Sequence, residues 1–151
     1  MRFSPVLGGV VSASLLLAGI LLGSSLLVFV DGPSALIFSG GVLCFLLQAH
    51  GPRGLQQLLH TTREWLFGRP IPAASRPAAR GIVESGMQGT RLVAVMGPFI
   101  GGIQILQSAD LPLETLGPAL AVMLLIPFYA ACLKLLYWGP LQAWLEQPGR
   151  P

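Results

Sequence analysis

Long apolar runs separated by short polar breaks set the pattern of this chain. The first run extends from Val6 to Val30 without a charge and is rich in Leu, Gly and Ser; about 20 helical residues suffice to cross a bilayer's hydrocarbon core. Arg2 and the small residues Gly23-Ser24-Ser25 would suit a cleaved leader. A leader's apolar core, however, is only about 7–15 residues, so the run is expected to stay as a span over residues 6–30. Asp31-Gly32-Pro33-Ser34 breaks it, because Pro33 has no N–H to continue a helix and Gly32 permits a turn. A second span is expected over residues 34–49, and so short a link makes the first two helices antiparallel neighbours.

From His50 to Arg91 the chain turns polar and basic. Leu55, Leu58, Leu59, Trp65 and Leu66 recur there at near-helical spacing, which predicts an amphipathic helix over 53–67 lying on the membrane surface. Pro70, Pro72 and Pro77 with several Ala and Ser read as a linker, with helix resuming near Gly81. A third span is expected over 92–106, a loop over 108–114, and a fourth span over 116–138 that ends at Gly139-Pro140. The tail from Leu141 reads as one or two amphipathic turns followed by disorder. The fold class expected is therefore all-α: a single membrane domain over residues 1–151, with four transmembrane helices and a short cytoplasmic amphipathic helix.

Composition sharpens this. Of 151 residues, 53% are apolar and 10% charged, with a mean hydropathy of +0.71; about a quarter of a soluble chain is charged. The spans use roughly half the chain, which leaves no room for a separate enzymatic domain. The net charge of +3 comes from scattered cations rather than a basic patch, so nucleic acid is not an expected partner and the lipid bilayer is. Charge also orients the chain. Arg53, Arg63, Arg69, Arg76, Arg80 and Arg91 fall in the middle segment, Arg2 and Arg150 near the two ends, and the other two connections carry only acids. The positive-inside bias then places both termini and the middle segment in the cytoplasm.

No carboxylate falls inside a span, where an ion relay would need one. Lys134 is one turn from the cytoplasmic end of the fourth span and is expected to snorkel to the interface. Cys44 and Cys132 sit in apolar runs, where free cysteine behaves as a small hydrophobe. His50 and His60 lack neighbours at metal-ligand spacing, and no histidine stands in register with a serine or cysteine. No metal, cofactor or enzymatic activity is expected. Glycines are the stronger signal: Gly40-Gly41, Gly97 and Gly101-Gly102 let helix backbones approach closely. Pro98, Pro118 and Pro127 predict kinks.

Two segments resemble the MotA branch of the MotA/TolQ/ExbB family of ion-driven motor channels. Phe29-Val30-Asp31-Gly32-Pro33-Ser34 followed by Gly40-Gly41-Val42-Leu43 is similar to the family's first hairpin. The run from Met96 through Gly97, Pro98, Gly101, Gly102 and Gln104, then Leu116-Gly117-Pro118, Phe128-Tyr129 and Pro140, is similar to its third and fourth spans. The resemblance implies a bacterial inner-membrane homopentamer enclosing a single-span MotB/ExbD-like partner, whose aspartate carries the proton. It also implies a ring interior lined by Gly97, Pro98, Gly101, Gly102, Pro118 and Pro127, with Asp31, Pro33, Ser34, Gly40, Gly41 and Pro140 as structural positions. Arg91 would stand at the cytoplasmic mouth, where motility members have proline. Pro98 and Pro127 replace the threonines typical of the family, and the middle segment of about 40 residues is too short for the cytoplasmic domain that pushes on a flagellar rotor. A non-conducting scaffold of the same descent and an unrelated four-helix membrane protein are the alternative readings.

Overall fold

The structure, a computed structural model, describes residues 5–23, 25–107 and 112–147; Arg2, Arg150 and the first part of the 108–114 loop, with Asp110, lie outside them. Five α-helices make up the described residues: α1 (Pro5–Gly23), α2 (Gly32–Leu66), α3 (Arg76–Gln107), α4 (Leu113–Leu133) and α5 (Gly139–Glu146). Three helical stretches, formed by α2, by α3 and by α4 running on into α5, are long and apolar enough to cross a membrane, and α1 is a shorter apolar helix. Only a minor share of each apolar stretch is buried within the chain. Leu36, Val95, Phe99, Leu106 and Leu124 are all exposed, with Leu106 at 85%, as expected of helices solvated by lipid rather than water.

The central helix is α3. At 32 residues it is about 48 Å long, well beyond a hydrocarbon core of about 30 Å. Its glycines fix how the others pack. A Cβ at Gly89 would meet the Phe45 ring of α2 at 2.9 Å, and one at Gly97 would meet Ile126 of α4 at 2.5–2.8 Å. At Gly86 it would collide with the Trp138 ring. Trp138 is buried there and donates its indole N–H to the Thr90 hydroxyl at 2.9 Å, which itself bonds back to the Gly86 carbonyl at 2.8 Å. Leu58, Trp65, Ile71, Ile82, Val83, Leu141 and Leu145 belong to the same buried core.

Several boundaries differ from the expectation. The apolar run 6–30 does not form one helix: α1 stops at Gly23, and a 3₁₀ turn, Leu26–Phe29, follows, capped by the Ser25 side chain. The basic segment 50–91 is mostly helix. Gly51, at φ +65° and ψ −174°, bends α2 sharply, in backbone space essentially open to glycine alone. The bend divides α2 into an apolar arm, 32–50, and a second arm, 52–66, close to the predicted amphipathic helix. Gly68 at φ +65° closes that arm, with Gly68 N–H donating to Trp65 O and Arg69 N–H to Glu64 O, a Schellman stop. α3 begins at Arg76, five residues before Gly81, because Pro77 falls in its first turn where no N–H is needed.

Gly139-Pro140 does not end the fourth helix. Pro140 can give no bond to the preceding turn, and the backbone widens into a π-helical turn, Lys134–Trp138, in which Gly139 N–H reaches Lys134 O before α5 continues the chain. Arg80 and Arg76 then donate to the Leu145 and Gln147 carbonyls, at 2.8 and 3.2 Å, holding the end of α5 against the start of α3. α3 and α4 run on as helices through Pro98, Pro118 and Pro127.

Gly86→Ala, which pushes a methyl into the Trp138 ring, is expected to destabilise the protein by about 1–3 kcal/mol. Gly40→Ala meets nothing within 4 Å and is expected to be neutral or to stabilise by up to about 1 kcal/mol. Thermal unfolding in mild detergent, followed by tryptophan emission, reads both.

Candidate functional site

The corner between the 3₁₀ turn and α2 is built by Asp31. Its carboxylate accepts the Ser34 N–H at 2.8 Å, capping α2, while its own carbonyl accepts the Ala35 N–H and Pro33 occupies the first turn. The Ser34 side chain, then its amide, holds the Asp31 carboxyl below the usual carboxylate range. Asp31 is therefore an anionic acceptor at neutral pH.

Tyr129 of α4 fastens this corner to the bundle. Its hydroxyl donates to the Phe29 carbonyl at 2.8 Å and accepts the Asp31 N–H at 3.1 Å, so one phenol satisfies backbone groups on both sides of the break. Phe29 stacks on Phe128 at 5.2 Å between centroids, and Phe38 packs on Tyr129 at 6.1 Å.

Below the corner an open cleft of about 370 Å³ lies between the start of α2, the later half of α3 and the first half of α4. Asp31, Pro33 and Ser34 line it from α2, Gly97, Gly101 and Gln104 from α3, and Val122, Met123 and Ile126 from α4. Its chemistry is apolar walls with one ionised carboxylate and the polar side chains of Ser34 and Gln104. The two motif segments singled out in the sequence, more than 60 residues apart, thus meet at one place.

Not every expected position lines the cleft, and those that do also pack the chain's own helices. Gly97 and Gly101 carry close approach of α4 in the same chain, against Ile126 and Met123, and Gly102 lies 3.7 Å from Met123 Sδ at the Cβ position. Pro98 and Pro127 are half-buried and Pro118 exposed, and none of the three lines the cleft. Gly41 packs on Val93, whereas Gly40 faces open space. Pro140 is half-buried at the start of α5, and Arg91 is exposed on α3.

One pair escaped the reading of the sequence. His50 Nε2 stands 2.8 Å from Ser85 Oγ, joining α2 to α3 beside the Gly51 bend. The two are 35 residues apart, so helical register gave no sign of it. Among the described residues no carboxylate engages the second ring nitrogen, and neither residue lines the cleft. Tyr129 was visible only as part of a motif; its role spans about 100 residues of chain.

Comparison with family models, with curated proteins and with solved structures finds no match to this chain.

Tyr129→Phe removes both bonds at the corner and is expected to cost about 1–3 kcal/mol. Asp31→Ala removes the cap for about 0.5–2 kcal/mol. Because the folded carboxyl titrates below its unfolded value, its contribution is complete above the ordinary carboxylate range and fades as pH falls through the folded pKa. Thermal unfolding against pH should therefore show an acid-side loss that is diminished in Asp31→Asn, whose amide still caps.

Proposed function

We propose that this chain is a multi-pass subunit of the bacterial inner membrane, with both termini cytoplasmic, that assembles as a homopentameric ring around a single-span partner and couples ion movement to that partner. The observation that carries this reading is the meeting of Asp31, Pro33 and Ser34 with Gly97 and Gly101 at one cleft, since these are the residues through which the sequence resembles the MotA/TolQ/ExbB channels. Charge supports it further. The predicted spans 34–49, 92–106 and 116–138 hold no carboxylate of their own, so an ion crossing at this subunit would be relayed by an acid on the partner helix. The exposed apolar ridge of α3, which includes Val95, Phe99, Ile103 and Leu106, offers a face for a neighbouring subunit or the partner.

A second reading keeps the ring and drops conduction. It is favoured by Pro98 and Pro127, which bring no hydroxyl to hydrate an ion, and by Gly97, whose notch is already filled by Ile126 of its own chain.

Native mass in mild detergent tests the ring. Five copies give a protein mass of about 80 kDa, five times the 16.0 kDa chain, and a further increment is expected on co-expression with an acidic single-span partner. A monomer in both preparations rejects both readings. If the ring forms, proton flux into liposomes separates them: flux abolished by replacing the partner's acid supports coupling, and its absence supports the scaffold.

A further inference from the structure

The second arm of α2, residues 52–66, does not continue the line of the first. At its start His50 is bonded to Ser85 of α3. At its far end Thr62 is bonded to the Tyr137 hydroxyl and Trp65 packs edge-on against the Tyr137 ring at 6.2 Å. Tyr137 in turn lies 4.6 Å from the ring of Trp138, which is bonded to Thr90 of α3. Both ends of the arm are therefore anchored at nearly the same level along α3, near residues 85–90. The arm passes from α2 to α4 at that level, some way along α3 from its start at Arg76, the course of a helix lying in the plane of a membrane interface.

Its two faces differ. Gly54, Leu58, Thr61 and Trp65 are buried, at the spacing of one helix face. The opposite face is exposed and is itself divided: Leu59 (64% exposed) and Leu66 (57%) lie along one flank, Arg53 and His60 along the other, and Arg63 between them. Phe67 (66% exposed) extends this surface, with the Arg69 guanidinium 5.6 Å from its ring centre. Neither Arg53 nor Arg63 has an acidic partner among the described residues, where the one ion pair is His60 with Glu64. Apolar and cationic groups segregated on the exposed side of an in-plane helix complement acyl chains on one flank and anionic headgroups on the other.

We propose that this face is a docking surface for anionic phospholipid, with Leu59, Leu66 and Phe67 entering the acyl boundary and Arg53, Arg63 and Arg69 engaging headgroup phosphates. The proposal rests on the membrane placement proposed above but not on the ring or on ion coupling. One basic residue near an anionic surface is worth about five-fold in affinity.

The test uses the full chain with Cys44→Ser and Cys132→Ser, reconstituted in phosphatidylcholine with increasing phosphatidylglycerol, and a fluorophore on Leu59→Cys. Brominated versions of each lipid report which one contacts the label. Quenching by brominated phosphatidylglycerol more effective than by brominated phosphatidylcholine by about five-fold or more, weakened by salt and lost in Arg53→Gln/Arg63→Gln/Arg69→Gln, is the expected result. Equal quenching by the two lipids, or a preference that survives the triple replacement, overturns it. A second label on Leu43→Cys, exposed on the apolar arm of α2 and outside the proposed subunit face, separates the failures. Quenching at 43 without quenching at 59 removes this proposal alone and favours an acidic protein partner for the face, whereas no quenching at either position removes the membrane placement as well.

Discussion

Glycine on α3 sets the distance at which every other long helix approaches it, and the remaining contacts follow from that spacing. Gly89 and Val93 turn toward α2, where Phe45 fills one notch and Gly41 makes room for the Val93 side chain. Gly86, Gly97 and Gly101 turn toward α4 and its continuation, receiving Trp138, Ile126 and Met123. In a bilayer there would be little hydrophobic gain in bringing two such helices together, so contact area at short range, with a few hydrogen bonds, would have to hold them. The Trp138 to Thr90 bond is such a bond, placed where α4 passes through its widened turn.

Two ends of the molecule are held differently. At the end that carries the middle segment, α3, α5 and the second arm of α2 bury a continuous set of large side chains, and Arg76 and Arg80 tie off the end of α5. At the other end, packing gives way to the open cleft, and the corner at Asp31 depends on one carboxylate cap and one tyrosine.

Much of this was legible in the sequence where a local rule sufficed. Asp31-Gly32-Pro33-Ser34 has the cap and the proline that start α2, and the spacing of Leu58 and Trp65 gave the second arm almost to the residue. Leu59 and Leu66 share that spacing yet stay exposed, because periodicity shows that a stripe is apolar without showing which edge the rest of the chain will cover. Gly139-Pro140 read as a stop, yet a π-helical turn lets a helix absorb a proline and continue. The Tyr129 fastening and the His50 to Ser85 bond join residues far apart in the chain, and no local pattern carries such pairs. The cleft was legible only through resemblance, which singled out both of its motif segments without showing that they meet.

The proposed subunit requires the bundle to cross a membrane with its basic end on one side and the α3–α4 connection on the other. Sidedness of single cysteines tests this most directly. Arg69→Cys and Thr115→Cys, both at exposed positions, would be placed separately in the chain with Cys44→Ser and Cys132→Ser. Each would be treated with a membrane-impermeant maleimide in inside-out and right-side-out vesicles. Position 69 should react only in inside-out vesicles and position 115 only in right-side-out ones; reaction of both positions from the same side would contradict the placement of the whole bundle.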